Sequence, residues 1–124
     1  MKIGRPAILK LAEMICGNEA FTHFPYRSSS QLTKFFIDID IDFVHDGSTR
    51  HLWVQDVLNK LNDQSNEHEN LPNKDLIKVI TSLVNPDYFL FNEKLNHKKA
   101  VDDANKALKT SKLILKEKAD GQFL

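Results

Sequence analysis

Apolar side chains recur at helical spacing in five separate stretches of this chain, and this periodicity restricts the fold to a mainly helical one. Turn and cap residues separate the stretches. Gly17 follows the first, three serines precede the second, and Asn85-Pro86 follows the fourth. We expect helices over residues 5–16 and 29–40, a third beginning behind Ser48 or Thr49, a fourth capped by Asn73, and a fifth over residues 97–110.

The second stretch also allows a different interpretation. Leu32, Phe35, Phe36 and Ile39 follow helical spacing, whereas from Ile37 to Phe43 the apolar residues alternate with aspartates, which is typical of a strand. We expect a helix to about residue 40, followed by extended chain.

A small hairpin is predicted at the end of the sequence. Leu113-Ile114-Leu115 precedes the turn signal Asp120-Gly121, and Phe123-Leu124 follows it. The fold prediction is therefore a single mainly α domain over residues 1–124, a compact bundle of about five helices with a small C-terminal β-hairpin. Because the second strand is only begun, we expect the sequence to be part of a longer protein.

Composition excludes several classes of protein. Lys and Arg number 17, as do Asp and Glu, so the net charge is zero and electrostatic steering over long distances is weak. The lone Cys16 excludes an internal disulfide framework and fits a reducing cytosol. We find no signal peptide and no apolar run long enough for a membrane span, so we expect a cytoplasmic protein.

Two arginines flank the block of residues 24–50, which mixes large apolar side chains with aspartates and hydroxyls. An arginine fork binds a carboxylate or a phosphate with two hydrogen bonds, and a helix N-terminus also accepts phosphate. We favour a structural role, in which an internal Arg50–Asp46 or Arg27–Asp38 ion pair holds the loop between the second and third helices, and keep a ligand site as the alternative. The candidate ligand-binding or partner-binding residues are Tyr26, Arg27, Ser28, His45, Asp46, Ser48, Thr49 and Arg50.

The aspartates of this block do not predict a calcium loop. In an EF-hand beginning at Asp38, the sixth residue would be Phe43 instead of Gly and the twelfth would be Thr49 instead of Glu. Asp38, Asp42 and Asp46 would align on a helix at i, i+4 and i+8, with His45 beside them, but we favour a solvated helix face. We expect no metal site and no cofactor.

Lysines are concentrated at the C-terminal end. Residues 94–124 hold eight Lys against four Asp and Glu, whereas residues 1–93 hold nine Lys and Arg against thirteen Asp and Glu. Phosphates of a nucleic acid could contact such a face, although a solvated helix surface is the simpler interpretation. The candidate nucleic-acid contacts are Lys98, Lys99, Lys106 and Lys109.

Three groups of residues resemble the N-terminal domain of AbiJ-type abortive-infection proteins. These are Phe24-Pro25-Tyr26-Arg27-Ser28-Ser29-Ser30, then Leu32-Thr33 with Phe35-Phe36, Asp38 and Asp40, then His45-Asp46-Gly47-Ser48-Thr49-Arg50 with Trp53-Val54. The resemblance implies an N-terminal sensor or regulatory module of a bacterial phage-defence protein. It also implies an attached effector, such as a HEPN-type ribonuclease, and carries over no catalytic residue.

Known catalytic motifs are missing from the sequence. No arginine has a histidine four to six residues after it, which a HEPN ribonuclease requires, and no phosphate-binding loop or nucleophile elbow is present. We therefore expect a non-catalytic sensor or regulatory module that binds a trigger or a protein partner, controls an attached effector and has no membrane partner. Two alternatives stay open: a nucleic-acid-binding module acting through the C-terminal lysines and hairpin, and an enzyme using His45, Asp46 and Arg50 on a phosphorylated substrate.

Overall fold

Helices account for most of the chain that the computed structural model describes, which comprises residues 2–18, 21–64, 72–90 and 95–109. No strand occurs in these ranges. The predicted mainly helical bundle is confirmed, whereas the hairpin predicted near the C-terminus lies outside the described residues. The elements are α1 (Arg5–Cys16), α2 (Ser29–Ile37), α3 (Arg50–Asn62), α4 (Lys74–Leu83), a short 3-10 helix (Pro86–Phe89) and α5 (His97–Lys109).

Capping residues set several of these boundaries. The Ser28 hydroxyl accepts a hydrogen bond from the Gln31 backbone N–H, and the Gln31 side chain accepts one from the Ser28 N–H, which together form a capping box. The Asn73 side chain accepts a hydrogen bond from the Asp75 backbone N–H at 2.8 Å, as expected for the cap of α4. Asn85 caps the 3-10 helix in the same way.

The second helix is shorter than predicted, and the segment after it is not a strand. The chain turns behind Ile37, where Asp40 adopts a positive φ of 62°. The Ile41 backbone N–H then donates to the Phe36 carbonyl at 2.9 Å, so the chain folds back on the end of α2. The alternation of isoleucines with aspartates thus reflects a turn that buries Ile41 against the core.

Helix α1 lies at the centre and packs against α3, α4 and α5. Its apolar residues are buried around most of its circumference, from Ala7 and Ile8 to Ile15 and Cys16. Aromatic rings join α2 to α3, where Phe36 meets Trp53 edge-on with centroids 5.7 Å apart. Among the described helices, none combines the length and the apolarity needed to cross a bilayer.

The C-terminal end of α1 is closed by Gly17, which positions the segment that follows. Gly17 has a φ of +68°, in the left-handed region, and its N–H donates to the carbonyls of Glu13 and Met14. A Cβ at this position would lie 2.3 Å from the Pro25 carbonyl oxygen. The backbone of residues 25–27 therefore passes directly against the end of α1, where the Arg27 N–H donates to the Cys16 carbonyl at 3.0 Å.

Candidate functional site

Two arginine side chains converge on the C-terminal end of α1, and we call this region, with Tyr26, the arginine junction. Arg27 Nη1 donates to the Ile15 carbonyl at 3.0 Å. Arg50 Nη2 lies 3.5 Å from the Cys16 carbonyl, and its Nε donates to the Arg27 carbonyl at 3.3 Å. The last carbonyls of a helix have no partner within the helix and lie at the negative end of its dipole. Both arginines therefore cap α1.

Arg27 is almost completely buried, with 5% of its surface exposed. Its guanidinium lies 4.4 Å from the centroid of the Phe35 ring and 4.9 Å from that of Tyr88. Burial lowers the pKa of Arg27 to about 10. The buried Nη2 has no hydrogen-bond partner among the described residues. Two aromatic faces and a helix carbonyl, rather than an acid, thus surround this charge.

Neither of the two predicted ion pairs forms between the described side chains. Asp38 pairs with Lys34 at 2.7 Å instead of Arg27. Arg50 binds oxygens of Cys16, Asn18 and Arg27 instead of Asp46. The prediction was wrong because backbone carbonyls and the Asn18 side chain, whose positions depend on the tertiary fold, take the place of carboxylates as acceptors.

Tyr26 covers the outer face of Arg50. The Arg50 guanidinium lies 4.5 Å from the centroid of the Tyr26 ring, while 64% of the Tyr26 surface remains exposed. Arg50 Nη1 and Nη2 also donate to the Asn18 side-chain oxygen, at 3.4 and 3.2 Å. The guanidinium is therefore held in place beneath an exposed aromatic ring.

A separate turn holds His45, Asp46 and Ser48. His45 Nδ1 accepts from the Gly47 N–H at 3.0 Å, and the His45 ring packs against Trp53 with centroids 5.1 Å apart. The Asp46 carboxylate accepts from the Ser48 hydroxyl and from the Ser48 N–H. The hydroxyl bond above all lowers the pKa of Asp46 below its ordinary value.

The eight predicted site residues therefore divide into two groups and a pair of helix-start residues. The arginine junction contains Tyr26, Arg27 and Arg50, whereas Ser28 caps α2 and Thr49 precedes α3 without a capping side-chain hydrogen bond. In the turn, the Asp46 carboxylate already takes the Ser48 N–H and would repel a phosphate. The most polar part of the block thus makes local turn contacts.

Metal-ligating side chains do not gather in the described ranges, where no group of three or more His, Cys, Asp or Glu residues is placed to hold an ion. The predicted helical alignment of Asp38, Asp42 and Asp46 does not form, because α2 ends at Ile37.

Sequence reasoning missed Asn18 and the backbone carbonyls of α1 as parts of the arginine junction. Gly17-Asn18 identifies a helix stop, but nothing in the sequence pairs Asn18 with a side chain 32 residues later. Cys16 lies at the same helix end, fully buried, and burial raises the pKa of its thiol to about 11. The thiol is therefore protonated at neutral pH and is a poor nucleophile.

The four candidate nucleic-acid contacts are exposed on α5. Lys98, Lys99, Lys106 and Lys109 share one side of the helix by its 3.6-residue period. Asp102 lies within the same arc and Asp103 at its edge. Because phosphate binding depends on accumulated positive charge, these two carboxylates weaken the surface for that purpose.

No protein-family model, curated protein or solved structure matches this chain.

Proposed function

We propose that this chain is a non-catalytic regulatory module of a bacterial abortive-infection protein, which binds a protein partner and thereby controls an attached effector. The partner would contact the surface centred on Tyr26. The resemblance to AbiJ-type N-terminal domains supplies the biological setting, and the geometry of the arginine junction supports the binding role.

The observation that carries this proposal is an exposed aromatic ring on a fixed support. Tyr26 exposes 64% of its surface, yet its ring lies against a guanidinium held by oxygens of Asn18 and Arg27. Tyrosine and arginine are enriched at the centres of protein interfaces, and a ring that is already ordered loses little entropy on binding. A rigid, exposed tyrosine is therefore suited to anchor a partner.

The remaining polar groups of the arginine junction favour a structural over a catalytic role. Arg27 is buried between two rings, and Arg50 donates to the carbonyls of Cys16 and Arg27 and to the Asn18 side chain. The His45 ring accepts from the Gly47 backbone N–H and the His97 ring contacts the Val84 carbonyl, and neither of these contacts activates a nucleophile.

Phage plating on cells carrying the intact source gene tests the proposal, with wild type compared with Tyr26→Ala. We expect Tyr26→Ala to lose protection at an unchanged level of soluble protein, because an exposed cation–π contact contributes only about 0.5–1 kcal/mol to stability. Tyr26→Phe retains the ring and should retain protection. Ile37→Ala is the matched control. Ile37 is also an exposed large side chain, at 47%, but it lies at the C-terminal end of α2, whereas Tyr26 precedes the N-terminal end.

Full protection by Tyr26→Ala would contradict the proposal. Protection lost only together with the soluble protein would also contradict it, because Tyr26 would then act through folding. Equal loss in Ile37→Ala would show that the defect is not specific to the surface around Tyr26.

A further inference from the structure

A groove with an apolar floor runs between α1 and α5, and no residue of the arginine junction lines it. Its volume is about 630 Å³, which lies within the range of roughly 300–1,000 Å³ typical of small-molecule sites. Leu9, Met14, Phe21 and Ala107 supply apolar walls. Met14 is only 1% exposed, so it contributes a small part of the groove floor, and Leu9 and Phe21 supply most of the accessible apolar surface.

Charged residues at the groove carry a positive excess. Arg5, Lys10 and Lys106 line it together with Glu13 and Asp103. Lys10 and Glu13 lie 4.0 Å apart and offset each other. Arg5 has no carboxylate within ion-pair distance in the described part of the chain, so its charge is free to attract an anion.

The dimensions favour a small ligand over a partner protein. The volume of about 630 Å³ is that of a site for a small molecule. An occupant must therefore be small, largely apolar and negatively charged at one end.

We propose that this groove binds a single-chain organic anion of the fatty-acid type. The hydrocarbon chain lies along Leu9, Met14 and Phe21, and the carboxylate lies beside Arg5. Burial of the chain supplies most of the affinity, and the arginine selects the sign of the head group. This site is independent of the Tyr26 surface and of the function proposed for it.

The test is a titration of the ¹⁵N-labelled 124-residue chain with monomeric dodecanoate, followed by amide NMR shifts. We expect saturable shifts at Leu9, Phe21 and Ala107, and much weaker binding of dodecyltrimethylammonium, which has the same tail and the opposite charge. Arg5→Glu should weaken dodecanoate binding about three- to tenfold.

Lys98→Glu is the matched control, because it makes the same change of charge on an exposed residue of α5 that does not line the groove. It should leave the affinity within about twofold. Arg5→Glu is expected to fold, since an acidic residue in the first turn of a helix is favourable.

Three results would overturn the proposal. The first is the absence of saturable shifts at the groove residues. The second is a loss of charge dependence: dodecanoate and dodecyltrimethylammonium bind equally well, or Arg5→Glu and Lys98→Glu weaken dodecanoate binding equally. The third is Arg5-dependent sedimentation with phosphatidylglycerol vesicles in the absence of dodecanoate binding, which would identify a membrane surface as the source of the anion.

Discussion

Substitution of Gly17 by alanine tests how tightly the chain closes against the end of α1. The left-handed φ of +68° costs an L-residue about 1–2 kcal/mol. The added methyl group would also lie 2.3 Å from the Pro25 carbonyl oxygen and 2.6 Å from the Tyr26 Cα, both backbone atoms. Overpacking of this kind costs about 1–3 kcal/mol, so we expect a total loss of about 2–5 kcal/mol.

Gly47 provides a matched control within the same chain. Its φ is +87°, but a Cβ there would meet no atom within 4 Å. Gly47→Ala should therefore cost only the conformational term, about 1–2 kcal/mol. For a chain of 124 residues, 1 kcal/mol corresponds to roughly 4 °C in Tm, so we expect decreases of about 8–20 °C for Gly17→Ala and about 4–8 °C for Gly47→Ala.

Urea unfolding at equilibrium and thermal melts followed by circular dichroism measure both variants against wild type. Both variants lose free energy of unfolding through the positive φ, so the difference between their losses measures the steric contact of the added methyl group with residues 25–26. Equal losses of unfolding free energy would refute the reasoning, because the segment before α2 would then not press against Gly17. A changed urea slope in either variant would indicate a departure from a common two-state transition.

Three further predictions concern the arginine junction, the neighbouring turn and the buried thiol. Arg50→Lys should lower the free energy of unfolding in urea by about 1–3 kcal/mol, since lysine lacks the planar fork that reaches three oxygens; full stability would contradict this geometry. Ser48→Ala should raise the pKa of Asp46 toward 3.8 in an NMR titration. Because the folded pKa is the lower one, the Ser48 bonds stabilise the native state above pH 3.8, and this stabilisation is lost as the pH falls through the folded pKa. Native Cys16 should resist iodoacetamide at pH 8, because its pKa is about 11, and react rapidly in urea; fast labelling of the native protein would contradict its burial.

Helix positions were predictable because they follow from local chemistry. Gly17 ends α1, Asn73 caps α4 and Asn85-Pro86 follows its end, as their cap and stop preferences indicate. The end of α2 was less predictable, because its apolar spacing continues past Ile37. Burial of Ile41 against the core turns the chain there, and such tertiary packing is not encoded in a local period.

The sequence singled out Arg27 and Arg50, but it predicted incorrect partners for both. Charge alone pairs Arg50 with Asp46, since both lie in one short stretch. In the structure, Arg50 donates instead to the Cys16 carbonyl and to the Asn18 side chain. A sequence does not show which backbone carbonyl or distant side chain will accept a hydrogen bond. The groove between α1 and α5 could not be predicted either. Leu9 and Ala107 are ordinary apolar positions of two separate helices, and only the packing of these helices places both residues at one groove.

The capping of α1 by Arg50 has a consequence for the order of assembly. The bonds from Arg50 to Cys16 and Asn18 span 34 and 32 residues of sequence. During synthesis, α1 leaves the ribosome long before the residue that completes its C-terminal end. The contact between α1 and Arg50 requires closure of the loop between Cys16 and Arg50. Closing this loop costs conformational entropy that the formation of a single helix does not cost. Completion of the central helix thus depends on a contact between residues far apart in the sequence.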